Sequence, residues 1–384
     1  VRIVRTATVP FFLLHHLRGQ IDATIAAGHE VILVSSPADG ADRLARWPGV
    51  SFEPIEIPRP VTPWHDLISL FRMYRLLCRL RPDVVHSTTP KAGLICAVAA
   101  WLARVPLRMH TFTGQAWAGC KGMLRMVAKF ADRLIIALDT VTYADSLSQR
   151  AYLVEEGVAP PGRIRVLGAG SLGGVDLDVL DPAQLADAGK ALRAMFRIPE
   201  RGRVIVFIGR VTRDKGVAEL VEAFGHVQGE VPDARLIFVG PFEPELDPLP
   251  AAIVDSMRSN SCILAVGYEA EPAKYLAIAD VLCLPSYREG FGNVVIEAAV
   301  MGVPTVGTDI VGLRDAVVNG STGLLVPPRD AKALAHALIA VLTDDTRRNS
   351  LGEAARKRAR RLFDSKIVNG LMLREYAEQA WRTQ

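Results

Sequence analysis

The chain has 384 residues, half of them hydrophobic and 22% charged, with a mean hydropathy of +0.21. Core material is therefore ample and an intrinsically disordered chain is excluded. At roughly 100–200 residues per domain, two domains sharing one cleft are expected, and the longest apolar run, Ala92–Ala103, falls well short of the ~20 residues of a spanning helix.

The net charge of +4 is unevenly placed, with 20 Lys/Arg against 13 Asp/Glu in residues 1–170 and 25 against 28 in the remainder. Such asymmetry points to an anionic partner for the first half, a nucleic acid or a membrane surface, unless the arginines are merely solvated. Arg2 and Arg5 stand before the apolar stretch Ala7–Leu14 in the manner of a secretory signal. Pro10 interrupts that stretch and no small-residue cleavage pattern follows, so no signal peptide is expected. The cysteines, Cys78, Cys96, Cys120, Cys262 and Cys283, are odd in number and form no C-x-x-C or metal-spaced cluster. They suggest buried free thiols in a reducing compartment, the cytoplasm.

Short Val/Ile-rich runs alternate with longer amphipathic stretches, the pattern of an α/β fold with helix-covered parallel sheets. In chain order the first half suggests strands near Arg2–Val4, His29–Ser35, Phe52–Ile57, Asp83–His86, Arg108–Phe112, Arg133–Ala137 and Arg163–Leu167. Helices are expected near Leu14–Ala27, Trp64–Leu80, Lys91–Leu102, Lys121–Ala131 and Asp145–Glu156, with Gly28, Pro82 and Pro106 as stop signals. A glycine-rich connection, Gly168–Leu180, leads to a second series of strands. These fall near Arg203–Ile208, Ala234–Val239, Cys262–Val266, Asp280–Leu284 and Pro304–Gly307, with helices near Gly216–Val227, Ala270–Ile278 and Asn293–Val300. From Ala331 onward the pattern is helical, ending in the amphipathic stretch Val368–Trp381.

The connection contains Gly168-Ala169-Gly170-Ser171-Leu172-Gly173, a literal G-x-G-x-x-G. No helix opens at these glycines, since Gly174, Asp176, Asp178 and Pro182 follow, so the segment reads as a flexible hinge rather than a dinucleotide fingerprint. Asp176-Leu177-Asp178 is likewise hinge polarity, because it does not end a hydrophobic strand.

Two segments of the second half carry chemistry. In Pro285-Ser286-Tyr287-Arg288-Glu289-Gly290-Phe291-Gly292-Asn293-Val294-Val295-Ile296-Glu297 a buried strand runs through two glycines into a helix. Such a turn is a ready anion site, because free N–H groups and the helix dipole point into it. Glu289 in the loop and Glu297 in the helix suit sugar and ribose hydroxyls, each carboxylate accepting two hydrogen bonds. Glu297 alone would equally offset the dipole. The other segment, Gly209-Arg210-Val211-Thr212-Arg213-Asp214-Lys215-Gly216, places Arg210 at the carboxyl end of a strand and Lys215 at a helix start. Two such cations form a diphosphate clamp, or a solvated basic turn.

The Gly-Arg-x4-Lys-Gly turn, the Glu-x7-Glu segment with Glu-Gly-Phe-Gly, Gly302-Val303-Pro304 and Gly320-x-x-Gly323 together resemble the retaining, family-four GT-B glycosyltransferases (glycosyl transferases group 1). The resemblance covers essentially the whole chain. It implies two Rossmann-like domains facing each other across a cleft: residues 1–170 for the acceptor, with the C-terminal helix, about 366–384, packed back on them, and 171–365 for a nucleotide-sugar donor. On that pattern Arg210 and Lys215 neutralise the donor diphosphate and leaving group, where negative charge grows as the sugar becomes oxocarbenium-like. Glu289 contacts the donor sugar and Glu297 the ribose. Gly209 and Asn293 also belong to the donor-binding set, the backbone of Gly290, Phe291 and Gly292 approaches sugar and phosphates, and Val266 and Tyr268 border the base. No cofactor and no metal are expected, the nucleotide sugar being a substrate.

In the first half, Met109-His110-Thr111-Phe112-Thr113-Gly114-Gln115 is similar to the segment where the family places a histidine near the reacting sugar. His110 is thus expected to orient that sugar or shape local charge, with Thr113, Gly114 and Gln115 on the acceptor side. His86-Ser87-Thr88-Thr89-Pro90-Lys91 is expected to add Ser87, Thr88 and Lys91 there, or to be only a helix cap. The similarity is to capsule and lipopolysaccharide assembly enzymes, implying a UDP-sugar donor and a glycan or polyprenyl-diphosphate-linked acceptor. The first loop, Thr6-Ala7-Thr8-Val9-Pro10-Phe11-Phe12, departs from the glycine-rich form of many relatives and suits an apolar acceptor route.

Arg72, Arg75 and Arg79 beside Phe71, and the stripe Lys121, Arg125, Lys129 and Arg133, form basic amphipathic faces that favour an anionic membrane surface. A cytoplasmic protein, peripheral at the inner face of the membrane, is the expectation. Nucleic acid is not expected, because no aromatic-basic stacking platform is present, and no pattern indicates an oligomeric state. The rival readings are a nucleotide-sugar epimerase on the same architecture and a non-catalytic sugar-nucleotide-binding protein.

Overall fold

The computed structural model describes residues 1–245 and 247–382. The chain divides into two compact units, one of residues 1–174 with the segment from Ser365 onward, the other Val175–Asp364.

Unit 1 comprises, in order, β1 (Arg2–Thr6), α1 (Pro10–His16), α2 (Arg18–Ala26), β2 (Glu30–Ser35), α3 (Ala41–Ala45), β3 (Val50–Pro54) and α4 (Pro63–Leu80). It continues with β4 (Val84–Thr88), α5 (Pro90–Leu102), β5 (Leu107–Phe112), α6 (Gly122–Leu138), β6 (Val141–Ala144), α7 (Leu147–Glu155) and β7 (Ile164–Val166). The seven strands pair in parallel in the order β3-β2-β1-β4-β5-β6-β7. Strand alternation sorts the core. Ile32 and Val34 of β2 pack with Met73 and Leu76 of α4 and Ile95 of α5, whereas Val31 and Leu33 pack with Leu13, Leu17 and Ile21 of α1 and α2. Each fully buried leucine or isoleucine contributes about 1.5–3 kcal/mol, so both faces of the sheet hold their helices.

Unit 2 contains α8 (Pro182–Met195), β8 (Val204–Ile208), α9 (Val217–Glu230), β9 (Arg235–Val239), α10 (Ala251–Ser259), β10 (Ile263–Gly267) and β11 (Val281–Leu284). It ends with α11 (Asn293–Val300), β12 (Thr305–Thr308), α12 (Leu313–Ala316), β13 (Gly323–Val326), α13 (Ala331–Leu342) and α14 (Asp345–Leu362). Its parallel sheet runs β10-β9-β8-β11-β12-β13. The last helix, α15 (Ser365–Arg382), returns to unit 1. There Met372 and Tyr376 pack on Ile3, Met109 and Tyr143. Arg5 donates to the Tyr376 hydroxyl (2.8 Å) and Tyr143 donates to Glu375 (2.5 Å). Residues 383–384 of the expected terminal stretch lie outside the described residues.

Several sequence expectations change. The strand expected over Arg133–Ala137 is the second half of α6, and the strand of that region is Val141–Ala144. Leu14–Ala27 is two helices that meet at Leu17. Ala270–Ile278 is a 3-10 helix over Pro272–Ile278. The units part at Gly174/Val175 and Asp364/Ser365, against the expected 170/171 and 365/366. None of the five cysteines is in a disulfide, but only Cys96 and Cys283 are buried. Cys78 is exposed on α4.

Candidate functional site

In unit 2 the chain winds from β8 outward through β9 and β10, then restarts on the other side of β8 with β11 and continues to β13. The loops leaving β8 and β11 therefore diverge at a topological switch point, where open α/β sheets bind ligands. Gly216 lets the two loops meet. Its φ is +69°, and a Cβ there would stand 2.0 Å from the carbonyl oxygen of Pro285. Gly312, at φ +89°, does the same beneath the β11 loop, where a Cβ would lie 2.6 Å from the Gly290 oxygen.

The meeting loops bring the expected residues together. Lys215 donates to Glu289 at 2.5 Å in a largely buried ion pair, and Ser286 donates to the same carboxylate oxygen at 2.7 Å. Arg210 donates to Glu243 (2.9 Å) and to Asp214 (3.3 Å), and Arg288 donates to Asp214 (3.2 Å). Burial works against charge on Arg210, but the hydrogen bond to Glu243 and the nearby Asp214 outweigh it and raise its pKa. At Asp214 burial is likewise outweighed by the hydrogen bond from Thr212 (2.6 Å) and by Arg210, Lys215 and Arg288, which lower its pKa. Three cations thus converge on one loop crossing, each held by carboxylates that an entering polyanion can displace.

The same loop leads into α11, whose N-cap, Gly292, has φ +87°. Phe291 turns its ring inward against Phe363 (5.1 Å between centroids). Gly290 and Gly292 bracket that inward turn, and half-buried Asn293 opens the helix. Glu297 is half-buried on α11. Its carboxyl has no hydrogen-bond partner among the described residues, and burial pushes its pKa up to about 7. A carboxyl left without donors in that position is ready to accept hydroxyls. Gly209 donates its N–H to Val239 (2.9 Å) at the end of β8. Val266, next to last in β10, is half-buried, and Tyr268, just past the strand, is largely exposed.

Unit 1 has its own switch point, between β1 and β4. There Thr8 donates its N–H to the Thr89 hydroxyl (3.1 Å), and the two hydroxyls lie 2.8 Å apart. Thr89 holds φ +69°, a conformation rare for a β-branched residue. The expected neighbours Ser87 and Thr88 do not line an open surface. β4 is buried on both faces, so Ser87 meets His110 Nδ1 (2.8 Å) and Thr88 donates to the Thr6 carbonyl (3.1 Å). Lys91 is committed to Asp66 (2.6 Å) and to the Pro60 carbonyl. His110 is 1% exposed, its ring edge-on to Phe112 (4.5 Å), and burial lowers its pKa to about 3. Burial thus favours the neutral imidazole. Thr113 and Gly114 are half-buried, and Gln115 is buried.

Part of the expected basic stripe is engaged within the unit. Arg125 and Lys129 pair with Glu156 (2.8 and 2.9 Å) and lie over the Trp117 ring. Arg133 donates to the Gly157 carbonyl (3.0 Å).

Sequence reading missed Asp214, Glu243, Arg288 and Ser286 as members of the cluster at the loop crossing, and Thr89 in unit 1. Asp214 lies inside the Gly-Arg-x4-Lys-Gly turn and could have been found there. Glu243, in the loop after β9, carries no local signal.

A family model described as glycosyl transferases group 1 matches residues 190–358, and one described as a glycosyl transferase 4-like domain matches residues 15–170. The chain is 30% identical over 354 residues to the capsular polysaccharide biosynthesis glycosyltransferase CapM of Staphylococcus aureus, covering 92% of this chain and 90% of that one. It is 27% identical over 308 residues to the UDP-Gal:alpha-D-GlcNAc-diphosphoundecaprenol alpha-1,3-galactosyltransferase of Escherichia coli, covering 79% and 76%. Among solved structures, the sucrose-phosphate synthase of Thermosynechococcus elongatus superposes with a TM-score of 0.81 at 23% identity, covering 98% of each chain. Anabaena HepE in complex with UDP and glucose gives 0.79 at 18% identity, covering 98% and 99%. These likenesses show the fold, two Rossmann-like α/β domains of the GT-B type.

Proposed function

From the premise that this chain belongs to the glycosyl transferases group 1 family and is a glycosyltransferase, we propose that it moves a sugar, with retention of anomeric configuration, from a UDP-sugar to a glycan or polyprenyl-diphosphate-linked acceptor in cell-surface polysaccharide assembly. The observation that carries the donor side is the convergence of Arg210, Lys215 and Arg288 at the switch point of unit 2. The diphosphate displaces Glu243 and Asp214 from Arg210, and Lys215 neutralises the leaving group as the glycosidic bond breaks. Glu289, held by Lys215 and Ser286, positions the sugar hydroxyls. Glu297 accepts from the ribose, and Val266 and Tyr268 border the uracil. The cations supply the neutralising charge without a metal ion.

The setting in polysaccharide assembly is supported by the likeness to CapM, the lipid-linked acceptor by the likeness to the E. coli galactosyltransferase that acts on a diphosphoundecaprenol-linked sugar, and the uridine donor by the HepE complex. His110, Thr113, Gly114 and Gln115 lie on the acceptor unit, which on this reading works against an anionic membrane surface at the inner face of the cytoplasmic membrane. No helix among the described residues is long and apolar enough to cross a membrane.

Calorimetry of a panel of nucleoside diphosphates and their sugars, in EDTA, against wild type and Arg210→Ala tests the donor reading. Selective uridine binding that is lost in Arg210→Ala is expected. Equal binding by both proteins, or preference for another base, overturns the clamp or the uridine assignment respectively.

A further inference from the structure

Between Ser286, which donates to Glu289, and Arg288, which donates to Asp214, the loop after β11 carries Tyr287. Its ring is half-buried and takes no part in the ion pairs. What it holds is the other loop. The Tyr287 N–H donates to the Asp214 carbonyl at 2.9 Å, and its hydroxyl donates to Glu219 Oε1 at 2.5 Å. Asp214 immediately precedes Lys215, and Glu219 follows Gly216 in the first turn of α9. One residue thus grips the loop after β8 on both sides of the Lys215-Gly216 corner, while its chain neighbours address Glu289 and Asp214.

The Glu219 carboxylate is committed to this contact. It forms no ion pair among the described residues, and its Oε2 is buried without a hydrogen-bond partner. An acid in a first turn offsets the helix dipole from any rotamer, but a buried, unpartnered oxygen carries a desolvation penalty that a solvent-facing rotamer avoids. The charge-assisted hydrogen bond from Tyr287 compensates for it. Burial and the Glu219 carboxylate push the Tyr287 phenol up to about 12, so the hydroxyl remains a donor throughout the neutral range. The ring is also held from a third direction. Arg329, in the loop after β13, lays its guanidinium over it at 4.5 Å from a backbone at φ +62°, a left-handed conformation that side-chain-bearing residues seldom adopt.

Lys215 and Glu289 stand on separate loops, so neither loop alone sets their separation, and Gly216 only permits the approach. We propose that Tyr287 is the positioning residue of this site: through Asp214 on one side and Glu219 on the other it fixes Lys215 opposite Glu289, without itself touching the donor. The proposal rests on the donor reading of the preceding section. A cation that neutralises a leaving group while a carboxylate holds the sugar must keep one separation from it, and a misplacement of about 1 Å costs on the order of 100-fold in rate.

The test uses Tyr287→Phe, Glu219→Leu, Glu219→Gln and the double variant Tyr287→Phe/Glu219→Leu in the full chain. Transfer from a UDP-sugar is read beside UDP binding by calorimetry and thermal melts. Tyr287→Phe keeps the ring and the backbone contact and removes one hydrogen bond. It should lower turnover by about 10- to 100-fold with UDP binding little changed. Glu219→Leu should match it, and the double variant should be no worse than either. Glu219→Gln, whose amide oxygen still accepts from the hydroxyl, should retain wild-type turnover. The ion pair is read without ligand. The melting loss of roughly 6–12 °C from Lys215→Ala should shrink by about half or more in the Tyr287→Phe background, because the pair is already loosened there. Additive melting losses overturn the proposal, as do unchanged turnover in Tyr287→Phe, loss of UDP binding in step with turnover, or Glu219→Gln behaving as Glu219→Leu. Absence of uridine nucleotide binding to wild type refutes the donor reading instead, and leaves the melting cycle to judge Tyr287.

Discussion

The two cations of the donor clamp should fail in different ways when removed. Lys215 and Glu289 are 17% and 14% exposed, and Lys215→Ala leaves Glu289 buried with only Ser286 donating to it. A stranded charge of that kind costs about 3 kcal/mol, the low end of the range because one hydrogen bond survives. For a unit of this size that is roughly 6–12 °C in melting temperature. Arg210 is 39% exposed, and after Arg210→Ala its partner Asp214 keeps Thr212, Arg288 and the rest of its surroundings. The stability loss there should stay below about 1 kcal/mol. Activity should not discriminate between them, since on the proposed reading each removes a charge facing the departing diphosphate and should cost about 10²–10³ in turnover. Thermal melts alongside sugar-transfer assays on both variants check this. Equal melting losses would refute the division into a buried pair and a solvent-facing clamp, and undiminished turnover in both would refute the clamp itself.

Glu297 carries a pKa raised to about 7 by burial, so the folded chain binds a proton that the unfolded chain releases near pH 4–5. Its contribution is fully present below that range and is lost as pH rises through 7. Glu297→Gln should therefore raise the melting temperature at pH 8, leave it nearly unchanged at pH 4.5 and weaken donor binding; a mutant-minus-wild-type difference independent of pH would refute the assignment. Gly312→Ala should weaken donor binding and cost at least about 1–2 kcal/mol, because the residue sits at φ +89° and its new Cβ would press on the Gly290 carbonyl; a normal melt would show the loop to be more yielding than its packing indicates. Transfer activity should persist unchanged in EDTA, and loss restored by a divalent cation would overturn the metal-free clamp.

Much of this was legible in the sequence because strands buried on both faces, such as β8 and β11, are continuous apolar runs bounded by turn residues. The same property misled at Leu134-Ile135-Ile136. There three apolar residues in succession suggest a strand, while Asp132, Ile135 and Ile136 form the buried stripe of a helix. The break at Leu17 carries neither proline nor glycine. β13 has four residues and opens on Gly323, too little for a periodicity. α8 was hidden by its own N-cap, since Asp181-Pro182 reads as an extension of the hinge until Asp181 is seen accepting from the Ala183 N–H. In the candidate site the cations were findable from local spacing. Glu243, the acid that holds Arg210, arrives from a separate strand end. Ser87 and Thr88 sit at the expected strand end, but which way a hydroxyl points is decided by what covers each face of the sheet.

The two crossings between units have a practical meaning. Val175, the first residue of unit 2, donates its N–H to the Phe363 carbonyl at 2.7 Å and bridges to Asp364, the last. Unit 2 thus enters and leaves through a single stitched point, like an insertion in a host whose own chain begins at β1 and resumes at α15. A cassette with adjoining ends can be lifted out and replaced by that of a relative without stretching either junction. On the proposed donor reading of unit 2, donor choice is then a transplantable property, exchanged at 174/175 and 364/365 while Tyr376 and Glu375 keep the host closed.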